Sequence, residues 1–457
     1  MISKFDRTTK RPLSGQRIGQ PNNRFSNCSP QHSEGFSCPL PFTRAPNTSQ
    51  TDRGSGRSEG NAGLGKRSTQ ILDFNEKTGL LCCGAQVTIE KIVRVFSTRG
   101  WFPTITPDTQ FITVGDAVAF DVRGNNHHQE GSFGRCVRRL TLVLASGETV
   151  SCSREKHSDL FWATVGGMGL TGTLIDVEFF LRPIETAYCK TVTLKTRDLL
   201  DTLAQLEKHA PQYQYAVAWM DCLASGDFLG RSLLTLGNDA TLEDLNPSQR
   251  VRPLEMEPQH GFRVPFDVPL AVLNRYTAGL ANEIYYHRQR SSQVETIVDY
   301  NSFFYPQDSN GNDGKRGFVR YELAIPTSVS REGLTCILKF LGSKGKGCNP
   351  VSAVLKRLGD GEGGLSLPVP GYSLALDIPM QPEIEVFLSQ LDRIVLEYGG
   401  RVSLTPDSRL HPQVFRQMYP GYDRWLSVKS QVDPQNRFRS ALSDRLQIEP
   451  TGKVRAA

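Results

Sequence analysis

The chain has 457 residues, too many for one compact core, and this calls for two or three domains. Hydrophobic residues make up 38% and charged residues 22%, so most of the chain should fold; a net charge of +6 on scattered lysines and arginines offers no stripe for nucleic acid. The ten cysteines, Cys82, Cys83, Cys136, Cys152, Cys222 and Cys336 among them, show no C-x-x-C spacing. Most lie in apolar runs, which suits buried free thiols in a reducing compartment. The stretch MISKFDRTTKRPLSGQRIG has no apolar h-region, and no apolar run is long enough to span a bilayer. The expectation is a cytoplasmic protein, with at most peripheral contact with a membrane face.

In chain order, the residues up to Asp52 are rich in Ser, Asn, Pro and Gln, lack helical or strand periodicity, and read as irregular. Phe111–Val122, FITVGDAVAFDV, is an apolar, β-like stretch. Leu140–Val150 reads as a hairpin turning at Ser146-Gly147. The glycines of FWATVGGMGLTGTLIDVEFFL, from Phe161 to Leu181, mark positive φ or close backbone approach. TVTLKTRDLLDTLAQLEKH predicts a strand and then a helix. Further strands are expected at Tyr215–Asp221, at Gly317–Ile325 and from Ser373, and a helix is expected from Ser330. The clearest helix places Ile384, Phe387, Leu388, Leu391, Ile394, Val395 and Tyr398 on one face, between Pro382 and Gly399. Strands alternating with long helices predict an α+β fold in which helices cover one face of an antiparallel sheet.

Two stretches carry chemistry. In Arg53-Gly-Ser-Gly-Arg-Ser-Glu-Gly-Asn61, closely spaced glycines let successive backbone N–H groups turn towards an anion such as a pyrophosphate. The spacing is neither G-x-G-x-x-G nor a P-loop, and a flexible Gly/Ser linker suits it equally. In Gly124-Asn-Asn-His-His-Gln-Glu-Gly-Ser-Phe-Gly134, glycines again permit close approach. Adjacent histidines on a strand point to opposite faces, so His127 and His128 suit a cofactor-contacting loop better than a metal site.

These stretches, with TPDTQFITVGDAVAFDV, FWATVGGMGLTG, the region around Trp219, PVPGYSLALDIP and the terminal MYPGYDRWLSVKSQVDPQNRF, resemble the flavoprotein oxidases built on the p-cresol-methylhydroxylase-type FAD domain, the vanillyl-alcohol-oxidase superfamily. Within that group the chain is most similar to the decaprenylphosphoryl-β-D-ribose 2'-oxidases. The resemblance implies a two-domain FAD-linked fold, with an FAD-binding domain over 1–184, a substrate domain over 185–400, and a segment over 401–457 returning to the first. It implies non-covalent FAD held by Arg53, Gly54, Ser55, Gly56, Arg57, Ser58, Thr109, Gly115, Ala119, Gly124, His127 and Leu174. It also implies a reaction in which the 2'-hydroxyl of a polyprenyl-phosphoribose, or a related sugar alcohol, is oxidised to a ketone that a partner short-chain reductase then reduces.

The chain departs from the family pattern at several functional positions. Arg123 stands where the family has a histidine and Asn125 where it has an active-site lysine, Arg320 and Glu322 replace glutamines, and Lys356 matches a substrate-contacting lysine. Arg123, Asn125, Glu322 and Lys356 are therefore the catalytic candidates. Asp108 and Asp116 replace glycines, and a carboxylate there should repel a pyrophosphate. Ser403 and Pro406 replace a tyrosine beside the flavin and a second lysine. These changes leave open a catalytically impaired relative that acts as a binding scaffold. A loose echo of an H-W-x-K-like segment at Arg424–Lys429 leaves open an aldonolactone oxidase-like enzyme.

Overall fold

The computed structural model describes residues 67–256, 275–289, 295–305, 318–344, 348–405 and 409–449. The Arg53–Ser58 glycine loop and Pro406 lie outside the described residues.

The first layer is a six-stranded antiparallel sheet. Strands β1 (Ile71–Asn75) and β2 (Leu80–Gly84) lead into helix α1 (Ile89–Phe96) and strand β3 (Trp101–Pro103). Helix α2 (Val114–Ala119) and a helical turn α3 (His127–Glu130) precede β4 (Val137–Val143), β5 (Thr149–Ser153), α4 (Ser158–Thr164) and β6 (Thr173–Pro183). The strand order is β1-β2-β6-β4-β5, with β3 also on β6. The hairpin expected at Ser146-Gly147 is present: Val143 pairs with Thr149, and Gly147 has φ 89°.

The strand expected over Phe111–Val122 is not formed, and helix α2 stands in its place. The side chain of Thr113 accepts the Asp116 N–H while the Asp116 carboxylate accepts the Thr113 N–H, at 3.0 and 3.1 Å. This reciprocal capping box starts a helix that outweighs the strand preference of two valines. Val114 and Val118, four residues apart, are then buried together on one face. The Asp116 carboxylate is thus used on its own backbone. His127 and His128 likewise sit on a helical turn rather than on a strand.

The second layer is an eight-stranded antiparallel sheet. It comprises β7 (Tyr188–Thr196), β8 (Tyr215–Met220), β9 (Ser232–Asp239), β10 (Thr296–Asp299), β11 (Phe318–Pro326), β12 (Ser352–Leu358), β13 (Gly371–Pro379) and β14 (Arg401–Val402). Its order is β10-β7-β9-β8-β12-β13-β11-β14. Helices α5 (Leu199–His209), α6 (Arg275–Arg288), α7 (Ser330–Lys344), α8 (Ile384–Glu397) and α9 (Tyr422–Val432) complete the layer. Alternation along the strands sends Val319, Tyr321, Leu323, Leu355, Leu374 and Leu376 to one face. There they are buried in one core with Leu206 of α5, Leu338 of α7 and Leu391 of α8. The predicted helix over Ile384–Tyr398 is α8, closed by Gly399 at φ 62°.

The sheet-to-helix contact contains one costly group. Asp392 of α8 is buried and accepts the Tyr321 hydroxyl at 2.7 Å. Burial raises its carboxyl to about 6, with the tyrosine only partly opposing. A carboxyl raised on folding destabilises the native state above its folded value, and stability should fall as pH rises from about 4 to about 6. The expected result is that Asp392→Asn is stabilised by about 2 kcal/mol at pH 7.5 and unchanged near pH 4. Urea melts at the two pH values check this, and equal gains at both would refute it.

At the C-terminal end, Trp425 donates its indole N–H to the Ala163 carbonyl at 2.8 Å, which fastens α9 to α4. Lys429 is fully buried against Asp433. The eight described cysteines are free thiols. Among the described residues no helix is long and apolar enough to cross a membrane, and no group of His, Cys, Asp or Glu is arranged to hold a metal ion.

Candidate active site

The second sheet turns its polar face towards the first layer. Strand register decides which side chains share that face: Arg320 pairs with Asp377, Glu322 with Ala375, and Lys356 with Ser373. Val354 pairs with Trp219, which extends the face to β8, where the Trp219 ring meets Tyr285 of α6 edge-on at 4.8 Å. From the opposing layer come Asp108, in the loop between β3 and α2, and Arg123, just past α2.

These groups form ion pairs across the layers. Lys356 Nζ lies 2.6 Å from Asp108 Oδ1, and Arg320 Nη2 lies 3.3 Å from Asp108 Oδ2. Arg320 Nε is 3.9 Å from Asp377. Arg123 Nη2 donates to Glu322 Oε2 at 2.5 Å. Three cations thus face three carboxylates, and the cluster is neutral as a whole. The protein around the half-exposed Asp108 carboxylate strips part of its hydration and pushes it up, but Lys356 and Arg320 more than reverse this and hold it below the usual range. Burial disfavours the Arg123 charge, and Glu322 outweighs that and raises it. Among the described residues the buried Nε of Arg123 has no acceptor. A buried donor left unpaired is costly, so this atom is available to an acceptor on a bound group.

Arg123, Glu322 and Lys356 are brought together in the cluster. Asn125 lies two residues after Arg123 in the chain, and its backbone carbonyl accepts the Ala216 N–H at 3.0 Å, joining the layers. Thr109 follows Asp108, while Gly115 and Ala119 lie on α2 and Leu174 on β6. Gly115 donates its N–H to Ala85 O at 2.7 Å, and a Cβ added to it would come within 3.0 Å of that oxygen. A Cβ on Gly124 would lie 2.6 Å from the Asn126 side-chain oxygen and 3.1 Å from Thr106 O. Both glycines thus sit in close local packing.

His127 is fixed by its neighbours. Its Nδ1 accepts the Gly359 N–H at 3.0 Å, which leaves Nε2 protonated and donating to Ser132 Oγ at 3.0 Å. Burial, with Arg123 nearby, lowers its pKa to about 3, so the ring stays neutral. Asp121, at φ 46°, accepts the Gly134 N–H and the Ser366 hydroxyl and ties the loop after α2 to the second layer. Ser403 donates its N–H to the Glu322 carbonyl at 2.8 Å and so stands at the edge of the site. Sequence reasoning noted Asp108 only as a departure and missed Asp377. Both owe their place to register and to layer contact.

The cluster suits a flavin and a polyol: the orphaned Arg123 donor can meet a ring carbonyl, and alternating cations and carboxylates can bind hydroxyl groups. Comparison with known proteins is consistent with this chemistry. An FAD binding domain family matches residues 54–153. The decaprenylphosphoryl-β-D-ribose oxidase of Mycolicibacterium smegmatis is 32% identical over 386 residues, 83% of each chain. An uncharacterized protein in the mprA 5' region of Streptomyces coelicolor is 32% identical over 373 residues, 79% of this chain and 100% of that one. The human Δ(24)-sterol reductase is 27% identical over 113 residues, a quarter of this chain.

Proposed function

Because the chain belongs to the FAD-dependent oxidoreductases of the decaprenylphosphoryl-β-D-ribose oxidase type, we propose that it oxidises a secondary alcohol of a sugar, the 2'-hydroxyl of a polyprenyl-phosphoribose or a related one, to a ketone. The observation that carries this reading is the polar cluster built by Asp108, Arg123, Arg320, Glu322 and Lys356 where the two layers meet. FAD, when bound, supplies the two-electron acceptor for the hydride. The glycine loop of Arg53–Ser58 would hold its pyrophosphate, with Thr109, Gly115, Ala119, Gly124, His127 and Leu174 along its length.

The chain's own residues do the rest. Lys356 donates to the reacting hydroxyl oxygen and stabilises negative charge there as the proton leaves. Glu322, held by Arg123, takes that proton. The Trp219 face supports the sugar ring. Residues 1–184 and 401–457 serve the cofactor and 185–400 the substrate, in a cytoplasmic protein that meets its lipid-linked substrate at the membrane face. A short-chain reductase consumes the ketone.

A second reading, a catalytically impaired relative acting as a scaffold, is favoured by the engagement of Lys356 by Asp108. One preparation separates the two. The oxidase reading expects a yellow protein whose FAD is released by heat and is bleached by polyprenyl-phosphoribose without oxygen. A protein that stays colourless after incubation with FAD would leave the scaffold reading.

A further inference from the structure

We infer that Asp108 sets the substrate preference of this site: it fills, as an internal carboxylate, the anion position formed by Lys356 and Arg320, and so favours an uncharged hydroxyl group there over a phosphate. The inference rests on the sugar-alcohol reading and narrows its substrate class.

Lys356 reaches Asp108 Oδ1 at 2.6 Å and Arg320 reaches Oδ2 at 3.3 Å, so one carboxylate bridges both cations much as two phosphate oxygens would. Among the described residues Asp108 is the one carboxylate within ion-pair distance of Lys356. The Lys356 side chain is 10% exposed and that of Asp108 is 44% exposed, so the cation is enclosed while its counter-ion stands at the solvent side. An incoming phosphate would have to displace Asp108 or sit against its charge. A second sugar hydroxyl, beside the reacting one, can accept from Lys356 and donate to Asp108 with the pair intact. Of the neighbouring described charges, Arg123 is paired with Glu322, and Asp377 adds negative charge 3.9 Å from Arg320.

The test is titration calorimetry on the full chain with inorganic phosphate, D-ribose 5-phosphate and D-ribose as probes. Asp108→Asn keeps the shape and removes the charge. Its expected effect is at least a tenfold rise in the affinity of both phosphate probes relative to that of D-ribose. Adding Lys356→Gln should erase that gain. An unchanged phosphate affinity overturns the proposal, as does an equal gain for D-ribose. If Asp108 were only a clamp between the layers, Asp108→Asn would lower the melting temperature and leave the ratio of phosphate to ribose affinity where it was, which also overturns it. Failure of every sugar alcohol to reduce the flavin, with the phosphate gain intact, would remove the oxidase reading and keep the counter-ion assignment.

Discussion

Replacing Lys429 by methionine is expected to cost about 3–5 kcal/mol of stability, as breaking one side of a buried ion pair does. Lys429 and Asp433 are both fully excluded from solvent, with Nζ and Oδ2 2.5 Å apart and a second bond from Nζ to the Phe438 carbonyl at 3.1 Å. Asp433 also accepts the Arg437 and Phe438 N–H groups at 2.7 and 2.8 Å, so its carboxylate shapes the turn that follows α9. Burial pushes that carboxyl up, but Lys429 and the two backbone donors together hold it below its usual range. Methionine fills most of the volume yet leaves the carboxylate without its counter-charge. Native stabilities run to about 5–15 kcal/mol, so the loss should be plain as a lower denaturant midpoint at unchanged slope. An acid lowered on folding contributes stability above its unfolded value near 4 and loses it as pH falls further. The deficit of the variant should therefore shrink at low pH. A loss below about 1 kcal/mol at pH 7 would mean that the pair, like many exposed ones, contributes little.

Local signals were the ones legible in the sequence. The Ser146-Gly147 hairpin and α8 were readable because turn chemistry, periodicity and capping agree within a dozen residues. Phe111–Val122 was misread because its apolar composition pointed to a strand, while Thr113 and Asp116, only three residues apart, close a capping box. Resemblance to the family set Asp116 beside a pyrophosphate because it stands where the family has a glycine; its carboxylate is turned onto the Thr113 N–H. In the site, resemblance to known oxidases singled out Arg123, Glu322 and Lys356. Their partners were another matter: Asp108 and Lys356 are 248 positions apart, and Arg123 and Glu322 are 199 apart. No periodicity reaches that far. Such pairs depend on the register of β11, β12 and β13 and on which sheet face meets the first layer.

Lys356→Met should lower the limiting rate of anaerobic flavin reduction by about 10²–10³-fold, the usual loss when one donor aimed at a developing oxyanion is removed. Three features lead to this figure. Register with Ser373 puts Lys356 on the polar face of β12, so its stem is held by the sheet. Its enclosure, at 10% side-chain exposure, strengthens the interaction of its charge with any oxygen it meets. Methionine matches the stem and removes only the donor and its charge. The variant also frees Asp108, whose carboxyl would then keep Arg320 as its nearest cation and shift back towards the ordinary range. Stopped-flow reduction, with flavin content measured by absorbance, separates the outcomes. A slow reduction with full flavin content places Lys356 at the reacting hydroxyl. A rate within twofold of the unmodified protein would remove it from the reaction and leave it as the layer-joining partner of Asp108. A protein that loses flavin would show instead that the Lys356–Asp108 pair maintains the closed contact of the two sheets, and Asp108→Asn should then lose flavin as well.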